Sequence, residues 1–522
     1  MRNPTKRRPG ALFPLRLSLL PLLLVFAPLP AQQAGVVTDD AAASARVAAA
    51  KEVVDELFRT FAEERDLPGL AWGIVHGGRL VASGGTGVAN LAEGIPAGPR
   101  SLFRIASMSK SFTALAILQL RDEGRLSLDD PVARWVPEMR EMVYPTGDAP
   151  EITIRHLLTH SAGFPEDNPW GDRQLADSDR ELLDLVAAGP SFARPPGIAY
   201  EYSNLGFALL GQVVEAVSGL EFHEYTRRRI FEPLGMHDTV WEFTDAPPRR
   251  LALGYDRVDG AWRQVPHEHH GSFGAMGGLL TSVEDFAAWA VLHVGAWPPR
   301  DGPESPVLRR ASLREMHQPW RFASLEGDRE DAAGGGPACP VVRAYGYGLR
   351  WTRDCDDRTV VGHSGGLPGF GSDWALAPDY GLAVFSFDNR TYAGTASVNA
   401  AVLDTLVTLA GLEPVRPLAS PVLELRKAQL AAFLPGWEGA GTSPIFADNF
   451  LLDNRLADLA AHTRALWEEI GPGHRVGPLE PWNRLRGTFA VQGDRGTLTV
   501  LLTLSPEPEP RIQQVVLRRG PP

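Results

Sequence analysis

Long hydrophobic runs, lysine, cysteine and excess positive charge are all scarce in this chain of 522 residues. After the N-terminal segment, no stretch approaches the roughly 20 apolar residues that a membrane helix needs, so a soluble protein without a stable membrane anchor is expected. The formal net charge of −12 makes nucleic acid an unfavourable partner. A small-molecule or peptide substrate is the expected partner, and the sequence leaves the oligomeric state open.

The N-terminal segment differs from the rest and predicts a secretory signal peptide. Four of its first eight residues are basic, and an apolar core follows over residues 12–25. Small residues then lead to a predicted cut after Ala31, and the apolar core is too short and interrupted for a membrane span. We therefore expect an exported protein, either periplasmic or secreted.

Cysteine occurs only twice, as Cys339 and Cys355. Because export would place the chain in an oxidising compartment, a disulfide between them is predicted, and two separate buried thiols are the alternative. Residues 345–351, which lie between the cysteines, are predicted to form one strand. A bridge would then join the two ends of that strand or hold neighbouring loops together.

The spacing of apolar residues predicts an α/β (α+β) protein in four parts. A signal peptide at 1–31 precedes a main domain at 45–410, a linker at 411–421 and a small α+β domain at 422–522 of unknown role. Predicted strands lie near both ends of the main domain and predicted helices concentrate in its middle, which favours one sheet with a helical subdomain. Residues 301–342, rich in glycine, proline and charge, are predicted to be an irregular insertion.

Lysine is so rare that its positions carry information. Only four of the 51 Lys and Arg residues are lysine, and Lys110 alone has a serine, Ser107, three residues before it. On a helix that begins near Ser107, these two side chains would lie on one face and touch. Arginine keeps its proton in a protein, whereas a buried lysine can release it. The pair therefore indicates a serine nucleophile with an amine as its base.

Two further motifs follow in order, and together the three carry a family resemblance. The motifs are Ser107-Met108-Ser109-Lys110, Tyr202-Ser203-Asn204 and His363-Ser364-Gly365. Over roughly residues 45–410 the chain resembles the serine β-lactamase, penicillin-binding protein and esterase superfamily, nearest to its class C β-lactamase-like and D-Ala-D-Ala carboxypeptidase-like members. The resemblance implies a β-lactamase/transpeptidase-like fold, with an antiparallel sheet flanked by helices and a helical subdomain.

Acyl transfer gives each motif residue an expected role. Ser107 would attack the substrate, Lys110 would accept its proton, and Tyr202 would be the second proton carrier, with a pKa lowered by the neighbouring ammonium. Asn204 would hold Lys110 and the substrate carbonyl. By resemblance, the backbone N–H groups of Ser107 and Gly366 would form the oxyanion hole. This chemistry requires no metal and no cofactor.

The third motif departs from the family pattern. Penicillin-recognising members mostly carry lysine where this chain has His363, which is mostly neutral at pH 7 if unperturbed. His363, Ser364 and Gly365 are predicted to bind substrate. The sequence thus predicts an exported serine hydrolase that forms an acyl-enzyme on Ser107 with an ester, amide or D-amino peptide. Alternatives are a β-lactamase or D-Ala-D-Ala carboxypeptidase and, from another class, a non-catalytic penicillin-binding or interaction protein.

Three weaker patterns in the sequence also suggest functional sites, and each has a simpler structural explanation. Residues 362–366 also match the Gly-x-Ser-x-Gly elbow of α/β-hydrolases, but the following residues cannot readily begin the helix which that elbow needs. Residues 267–270 contain three histidines without the spacing of a helical zinc site, so a solvated loop is predicted. Phe164, Trp170 and Tyr200 are candidates to line the cleft, with ordinary packing as the alternative.

Overall fold

The computed structural model describes residues 40–329, 339–415 and 419–520. The predicted signal peptide and the cut after Ala31 lie outside these ranges. Among the described helices, none alone is long and apolar enough to cross a membrane. One pair, Asn204–Ser218 with Phe222–Leu234, passes that test together by length and composition, although the two helices are bent by 75°.

A nine-stranded sheet forms the centre of the main domain, and all its neighbouring strands are antiparallel. Its strand order is β3-β2-β1-β13-β12-β11-β10-β9-β8, so the N-terminal strands pair with the last strand of the domain. Two short two-stranded sheets, β4-β7 and β5-β6, lie outside it. The strands are β1 (Gly69–His76), β2 (Arg79–Asn90), β3 (Ile95–Pro96), β4 (Phe103–Arg104), β5 (Gly254–Val258), β6 (Ala261–Val265), β7 (Leu280–Thr281), β8 (Arg321–Arg329), β9 (Cys339–Tyr345), β10 (Arg350–Arg353), β11 (Thr359–Leu367), β12 (Phe370–Ala377) and β13 (Leu382–Asp388).

Helices cover both faces of the sheet. The helices of this domain are α1 (Asp40–Ala49), α2 (Lys51–Glu64), α3 (Ser109–Asp122), α4 (Ile154–Leu158), α5 (Asn168–Gly171), α6 (Asp179–Ala187), α7 (Asn204–Ser218), α8 (Phe222–Thr226), α9 (Glu232–Leu234), α10 (Gly274–Gly277), α11 (Val283–Val294), α12 (Arg310–Met316) and α13 (Ala396–Leu409). One apolar core contains residues of α1, α2 and α13, and a larger one contains residues of α3, α7 and α11. β1 is buried at every position because each of its faces meets one of these cores.

The antiparallel sheet with its flanking helices confirms the predicted fold class, while several element boundaries differ. The helical spacing of apolar residues over 41–66 predicts one helix, but the structure divides this stretch at Ala50 into α1 and α2. The sequence over 279–293 predicts another helix, which starts only at Val283 because residues 280–281 form β7. Helix α3 is buried along all of residues 109–120, as its continuous apolar sequence indicates.

The prediction of an irregular insertion over residues 301–342 is wrong for the described residues, 301–329 and 339–342, whereas residues 330–338 lie outside the described ranges. This region contributes helix α12 and much of the β8–β9 hairpin, which extends the central sheet at one edge. Phe322 and Leu325 of the edge strand β8 lie at the surface, 62% and 61% exposed. Such exposed apolar residues give a weak strand signal in a stretch otherwise rich in charge and glycine.

The segment between the two cysteines also differs from the single strand predicted there. The chain turns after Tyr345 and returns as β10, with Gly348 at a φ of +66°. A Cβ atom at Gly348 would lie 2.6 Å from the Lys110 carbonyl oxygen, so the turn needs glycine for its conformation and for its close approach to α3. Cys339 and Cys355 form a disulfide, which joins the outer ends of the β9–β10 hairpin.

The C-terminal region forms a small α+β domain with its own apolar core. Side chains of β15 and β16 alternate between buried and partly exposed, so one face of the four-stranded antiparallel sheet contributes to that core. The sequence predicts three strands here, near residues 485–491, 497–504 and 511–517, and the structure adds a fourth at residues 475–483. The elements are α14 (Pro421–Phe433), α15 (Phe450–Asp453), α16 (Leu456–Ile470), β14 (Arg475–Asn483), β15 (Arg486–Gln492), β16 (Thr497–Leu504) and β17 (Ile512–Arg519).

Candidate active site

Ser107 lies in a tight 3-10 turn just before α3, two residues ahead of the helix start. The preceding residue, Ala106, has a φ of +50°, a conformation that costs a non-glycine residue of the order of 1 kcal/mol. Gly365 of strand β11 packs closely against this turn. A Cβ atom there would lie 2.3 Å from the Ile105 carbonyl oxygen, so only glycine lets the third motif approach the first.

The Lys110 amine makes three short contacts at the centre of the site. Nζ lies 3.0 Å from Ser107 Oγ, 2.7 Å from Asn204 Oδ1 and 2.9 Å from the Met276 carbonyl oxygen. The last two atoms can only accept hydrogen bonds. A neutral amine has two N–H groups and one lone pair, so these carbonyl oxygens take both N–H groups. The lone pair is then left to face the Ser107 hydroxyl.

Burial prepares Lys110 for this neutral state. The side chain is fully buried, and this desolvation lowers its pKa to about 7. The carboxylates of Asp172 and Asp167 oppose the shift by stabilising the ammonium, whereas the charge of Arg350 adds to it. The amine is therefore neutral in an appreciable fraction of molecules near neutral pH.

Tyr202 lies beside this pair, but its pKa moves opposite to the predicted direction. Nζ of Lys110 is 4.9 Å from the centre of the Tyr202 ring, over its face. Burial raises the pKa of Tyr202, and this effect exceeds the lowering caused by Arg350 and by a hydrogen bond with Ser107. The lowered pKa predicted from a neighbouring ammonium is therefore wrong. Tyr202 is a neutral phenol that can donate a hydrogen bond.

Asp167, which no motif marks, positions the second motif. Its carboxylate accepts hydrogen bonds from the backbone N–H groups of Asn204 at 2.6 Å and Leu205 at 2.9 Å, at the start of α7. The Ser203 hydroxyl donates a third, at 3.3 Å. Negative charge is favourable at a helix N-terminus. Asp167 thereby fixes the backbone that directs Asn204 toward Lys110.

His363 does not line the cavity next to Ser107, so its predicted direct contact with substrate is not supported. The ring is 1% exposed, and Nε2 lies 2.8 Å from the Tyr345 hydroxyl. Nδ1 contacts the Ser364 carbonyl oxygen, which can only accept, so Nδ1 carries the proton and Nε2 accepts from Tyr345. Burial lowers the pKa of His363 well below its usual value and keeps the ring neutral.

A cavity of about 640 Å³ opens next to Ser107. Of the predicted site residues, Ser107, Tyr202, Ser364, Gly365 and Gly366 line it, whereas Lys110 and Asn204 lie behind its wall. Five further lining residues carry polar side chains that no sequence motif singled out. These are Asn168, Asp172, Arg350, Tyr392 and Ser397.

Arg350 places a cation in this cavity. Its guanidinium donates a hydrogen bond of 2.6 Å to Ser364 Oγ from the neighbouring strand β10. The sequence lacks lysine at position 363, and on that ground a positive charge was not expected here. Because Arg350 precedes His363 by a full hairpin turn and strand, only the pairing of β10 with β11 reveals that it serves the same cavity.

The three weaker sequence patterns do not contribute to the Ser107 site. Phe164 is buried and stacks on Phe192, while Trp170 and Tyr200 contact other rings outside the cavity lining. Residue 364 lies inside β11, which runs on to Leu367, so no helix follows it as the hydrolase elbow requires. Residues 267–270 are less solvated than predicted, since His269 alone among them is exposed.

One carboxylate cluster could hold a cation. Among the described residues, Asp179, Glu215 and Glu221 have carboxylate oxygens within 4.8 Å of one another. The cluster lies outside the lining of the Ser107 cavity.

The groups next to Ser107 that can do chemistry are its own hydroxyl, the Lys110 amine of lowered pKa and the neutral Tyr202 phenol. Together they suit acyl transfer.

Comparison with known proteins agrees with this chemistry. The sequence model of the Beta-lactamase family matches residues 54–408. Esterase EstB of Burkholderia gladioli is 31% identical over 375 residues, which cover 65% of this chain and 91% of that protein. Protein flp of Staphylococcus aureus strain N315 is 28% identical over 347 residues, or 66% of this chain. That match spans 64% of the length of protein flp.

Solved structures show the same fold. A penicillin binding protein from Bacillus halodurans aligns with a TM-score of 0.53 and 29% identity, covering 66% of this chain and 98% of that one. The octameric penicillin-binding protein homologue from Pyrococcus abyssi aligns with a TM-score of 0.54 over 89% of this chain and 95% of that one. At 22% identity, this second likeness concerns the fold alone.

Proposed function

Since the chain belongs to the beta-lactamase family, we propose that it is a serine hydrolase that forms an acyl-enzyme on Ser107. Neutral Lys110 accepts the Ser107 proton while Oγ bonds to the substrate carbonyl carbon. The oxyanion then faces the backbone N–H groups of Ser107 and Gly366. The expected substrates are esters, amides or D-amino peptides small enough for the cavity.

The tetrahedral intermediate formed by this attack breaks down with the help of the Tyr202 phenol. As the carbonyl re-forms, the bond to the leaving group breaks and Tyr202 donates a proton to the departing oxygen or nitrogen. The Lys110 ammonium then returns a proton to Tyr202, so both groups regain their starting states. In the second half, water attacks the acyl carbonyl carbon and gives a proton to neutral Lys110. The bond between that carbon and Ser107 Oγ then breaks, Oγ takes the proton back from the Lys110 ammonium, and the acid leaves.

The observation that carries this proposal is the set of contacts around Lys110. Two carbonyl oxygens occupy the N–H groups of the neutral amine, which leaves its lone pair facing Ser107 Oγ at 3.0 Å. Burying a charged amine without a carboxylate bonded to it is costly, so this arrangement favours a neutral base over a structural cation. The first 31 residues support placing this activity outside the cytoplasm.

Covalent labelling tests the proposal. The wild-type protein is expected to react with a fluorophosphonate probe, with the adduct mapped to Ser107 by mass spectrometry of the peptide. A fluorescent penicillin, used in parallel, distinguishes a penicillin-reactive enzyme from an esterase or amidase. A protein that is folded by its melting curve yet reacts with neither reagent contradicts the serine hydrolase and favours the binding protein.

Arg350 favours a second candidate function, the cleavage of a peptide or β-lactam that carries a free carboxylate. The guanidinium lines the cavity and donates one hydrogen bond to Ser364 Oγ, and an arginine side chain has further N–H groups that could bind a carboxylate. The absence of lysine at position 363 argued against such substrates. Arg350 on the neighbouring strand supplies a positive charge and makes them candidates again.

Replacing Arg350 by alanine should lower kcat/KM by about 10- to 100-fold for substrates with a carboxylate, the usual value of a hydrogen bond to a charged group. An acyl-thioglycolate and its methyl ester differ by that one charge and provide the comparison. The methyl ester should change by less than about threefold. Arg343→Ala is the matched control, because Arg343 lies on β9 outside the cavity and pairs with Glu326. Equal losses for both substrates would contradict carboxylate recognition.

The pH dependence of acylation follows from the pKa of Lys110, which burial lowers to about 7. Below that pH the amine is protonated and cannot accept the Ser107 proton, so kcat/KM should fall about tenfold per pH unit there. Above it the rate should level off. The rate of fluorophosphonate labelling, measured from pH 5 to 9, should show the same fall below about pH 7 (the acid limb of the profile), because the probe itself does not titrate in this range.

Asp172→Asn provides the internal check on that assignment. The Asp172 carboxylate raises the pKa of Lys110, so its neutralisation should move the acid limb to lower pH. A limb that stays in place while the variant remains folded would assign the titration to another group.

A further inference from the structure

Tyr392 occupies an unusual position at the edge of the Ser107 cavity. It lies in the turn between β13 and α13 with a φ of +51°, a conformation that disfavours a residue with a side chain. Its backbone N–H donates to the Phe370 carbonyl oxygen at 3.3 Å, and the adjoining Thr391 hydroxyl accepts from Gly369 N–H at 2.8 Å. The turn is therefore held to the sheet while the ring, 47% exposed with its residue, extends into the cavity wall.

The ring lies against the strand that provides an expected oxyanion donor. A Cβ atom built on Gly366 would lie 2.8 Å from Tyr392 Cδ1, closer than real contacts allow. A side chain at residue 366 would therefore collide with the Tyr392 ring. A substrate whose carbonyl oxygen is bound by the Gly366 N–H must pass its neighbouring atoms beside this ring.

The hydroxyl of Tyr392 reaches the opposite wall of the cavity. It donates a hydrogen bond of 3.0 Å to Asp172 Oδ2, just after α5, and Asp172 is itself only 3% exposed. The other oxygen of that carboxylate faces the Asn204 amide nitrogen at 3.5 Å. Burial and the Asp172 charge raise the pKa of Tyr392, so the phenol remains a donor. A single side chain thus connects the sheet to the helical part across the cavity.

We propose that Tyr392, held by its hydrogen bond to Asp172, limits the length of the acyl chain that Ser107 accepts, so that short acyl chains are favoured. The proposal rests on the proposed acyl-enzyme at Ser107. The acyl chain is the relevant part of the substrate because it stays attached to the carbonyl carbon, beside Gly366, in both halves of the reaction. The leaving group departs after the first half.

The test uses p-nitrophenyl acetate, butyrate and octanoate, which share one leaving group and differ only in acyl length. Wild type should prefer acetate or butyrate. Removing the ring in Tyr392→Ala should raise the octanoate-to-acetate ratio of kcat/KM by about 10-fold or more, the scale on which a pocket discriminates by size. Tyr392→Phe keeps the ring but frees it from Asp172, and should raise the ratio by about two- to threefold.

Phe322→Ala is the matched control, because it removes another exposed ring, on β8, outside the cavity lining, and should leave the ratio unchanged. Fluorophosphonate labelling of every variant separates the two proposals. Variants that label at Ser107 but keep the wild-type ratio overturn the role of Tyr392 alone. A wild type that neither labels nor hydrolyses overturns both. If Tyr392→Ala fails to fold, Tyr392→Phe and Tyr392→Leu decide the same question.

Discussion

Replacing Ser107 by alanine is expected to abolish ester hydrolysis, with a loss in kcat of about 10⁴-fold or more, the scale seen when a serine nucleophile is removed. The effect is large because the hydroxyls of Tyr202 and Ser109 are unsuited to replace Ser107 as the nucleophile. The Tyr202 phenol has a raised pKa, and the nearby Ser109 hydroxyl donates to the Ala106 carbonyl oxygen at 2.7 Å. Steady-state kinetics with p-nitrophenyl acetate and fluorophosphonate labelling measure the loss.

Ser111→Ala is the control for this variant. Ser111 lies one helical turn further on and donates to the Met108 carbonyl oxygen at 2.8 Å, outside the cavity lining. Its removal costs one buried hydrogen bond, about 1 kcal/mol of stability, and should leave kcat within about threefold of wild type. If Ser107→Ala kept substantial activity, or Ser111→Ala lost it, the nucleophile would have to be sought elsewhere.

Replacing Lys110 by arginine should be nearly as damaging, with a loss in kcat/KM of about 10³-fold or more. The substitution keeps the positive charge but removes the base, because a guanidinium does not lose its proton in a protein. It also places a larger group where Nζ fits between Asn204 Oδ1 and the Met276 carbonyl oxygen. Single-turnover acylation with p-nitrophenyl acetate measures the effect on the first chemical step.

Two further variants separate the basic role of Lys110 from its packing. Lys110→Met preserves most of the volume without an amine, and should lose both the rate and the acid limb of the pH profile. Lys427→Arg, the same change at a lysine of the C-terminal domain, should be neutral, because that residue lies outside the cavity lining. An active Lys110→Arg enzyme would show that charge alone suffices and would exclude Lys110 as the base.

The motif residues could be found from sequence because each is signalled locally. Ser107 and Lys110 are three positions apart on one turn, and the scarcity of lysine singles them out. Tyr202 and Asn204 flank a serine whose hydroxyl accepts from the Gly206 N–H at the start of α7, so their spacing is set by a helix cap. Local geometry of this kind depends on neighbours in the chain, which the sequence records directly.

The residues that sequence reasoning missed are signalled only in three dimensions. Asp167, Asp172 and Tyr392 come from loops, and Arg350 looks like any other arginine in an arginine-rich chain. Each becomes meaningful through a partner far away in sequence, as when the Tyr392 hydroxyl meets Asp172. His363 was misjudged for the same reason, since its position in the motif does not reveal that Tyr345 holds the ring inside the core.

The antiparallel arrangement of the sheet was implied by the family resemblance. The sequence alone predicted an α+β protein with a separate C-terminal domain, and it picked out Ser107 and Lys110 as a nucleophile and base to be tested. Periodicity, helix caps and residue chemistry suffice for such conclusions, because they act over a few residues. The tertiary structure decided the ionisation of the site and the walls of its cavity. Lys110 has a pKa near 7 because many distant segments bury it, and Arg350 and Tyr392 reach the cavity only through strand pairing and a turn. Burial and long-range pairing depend on the whole fold.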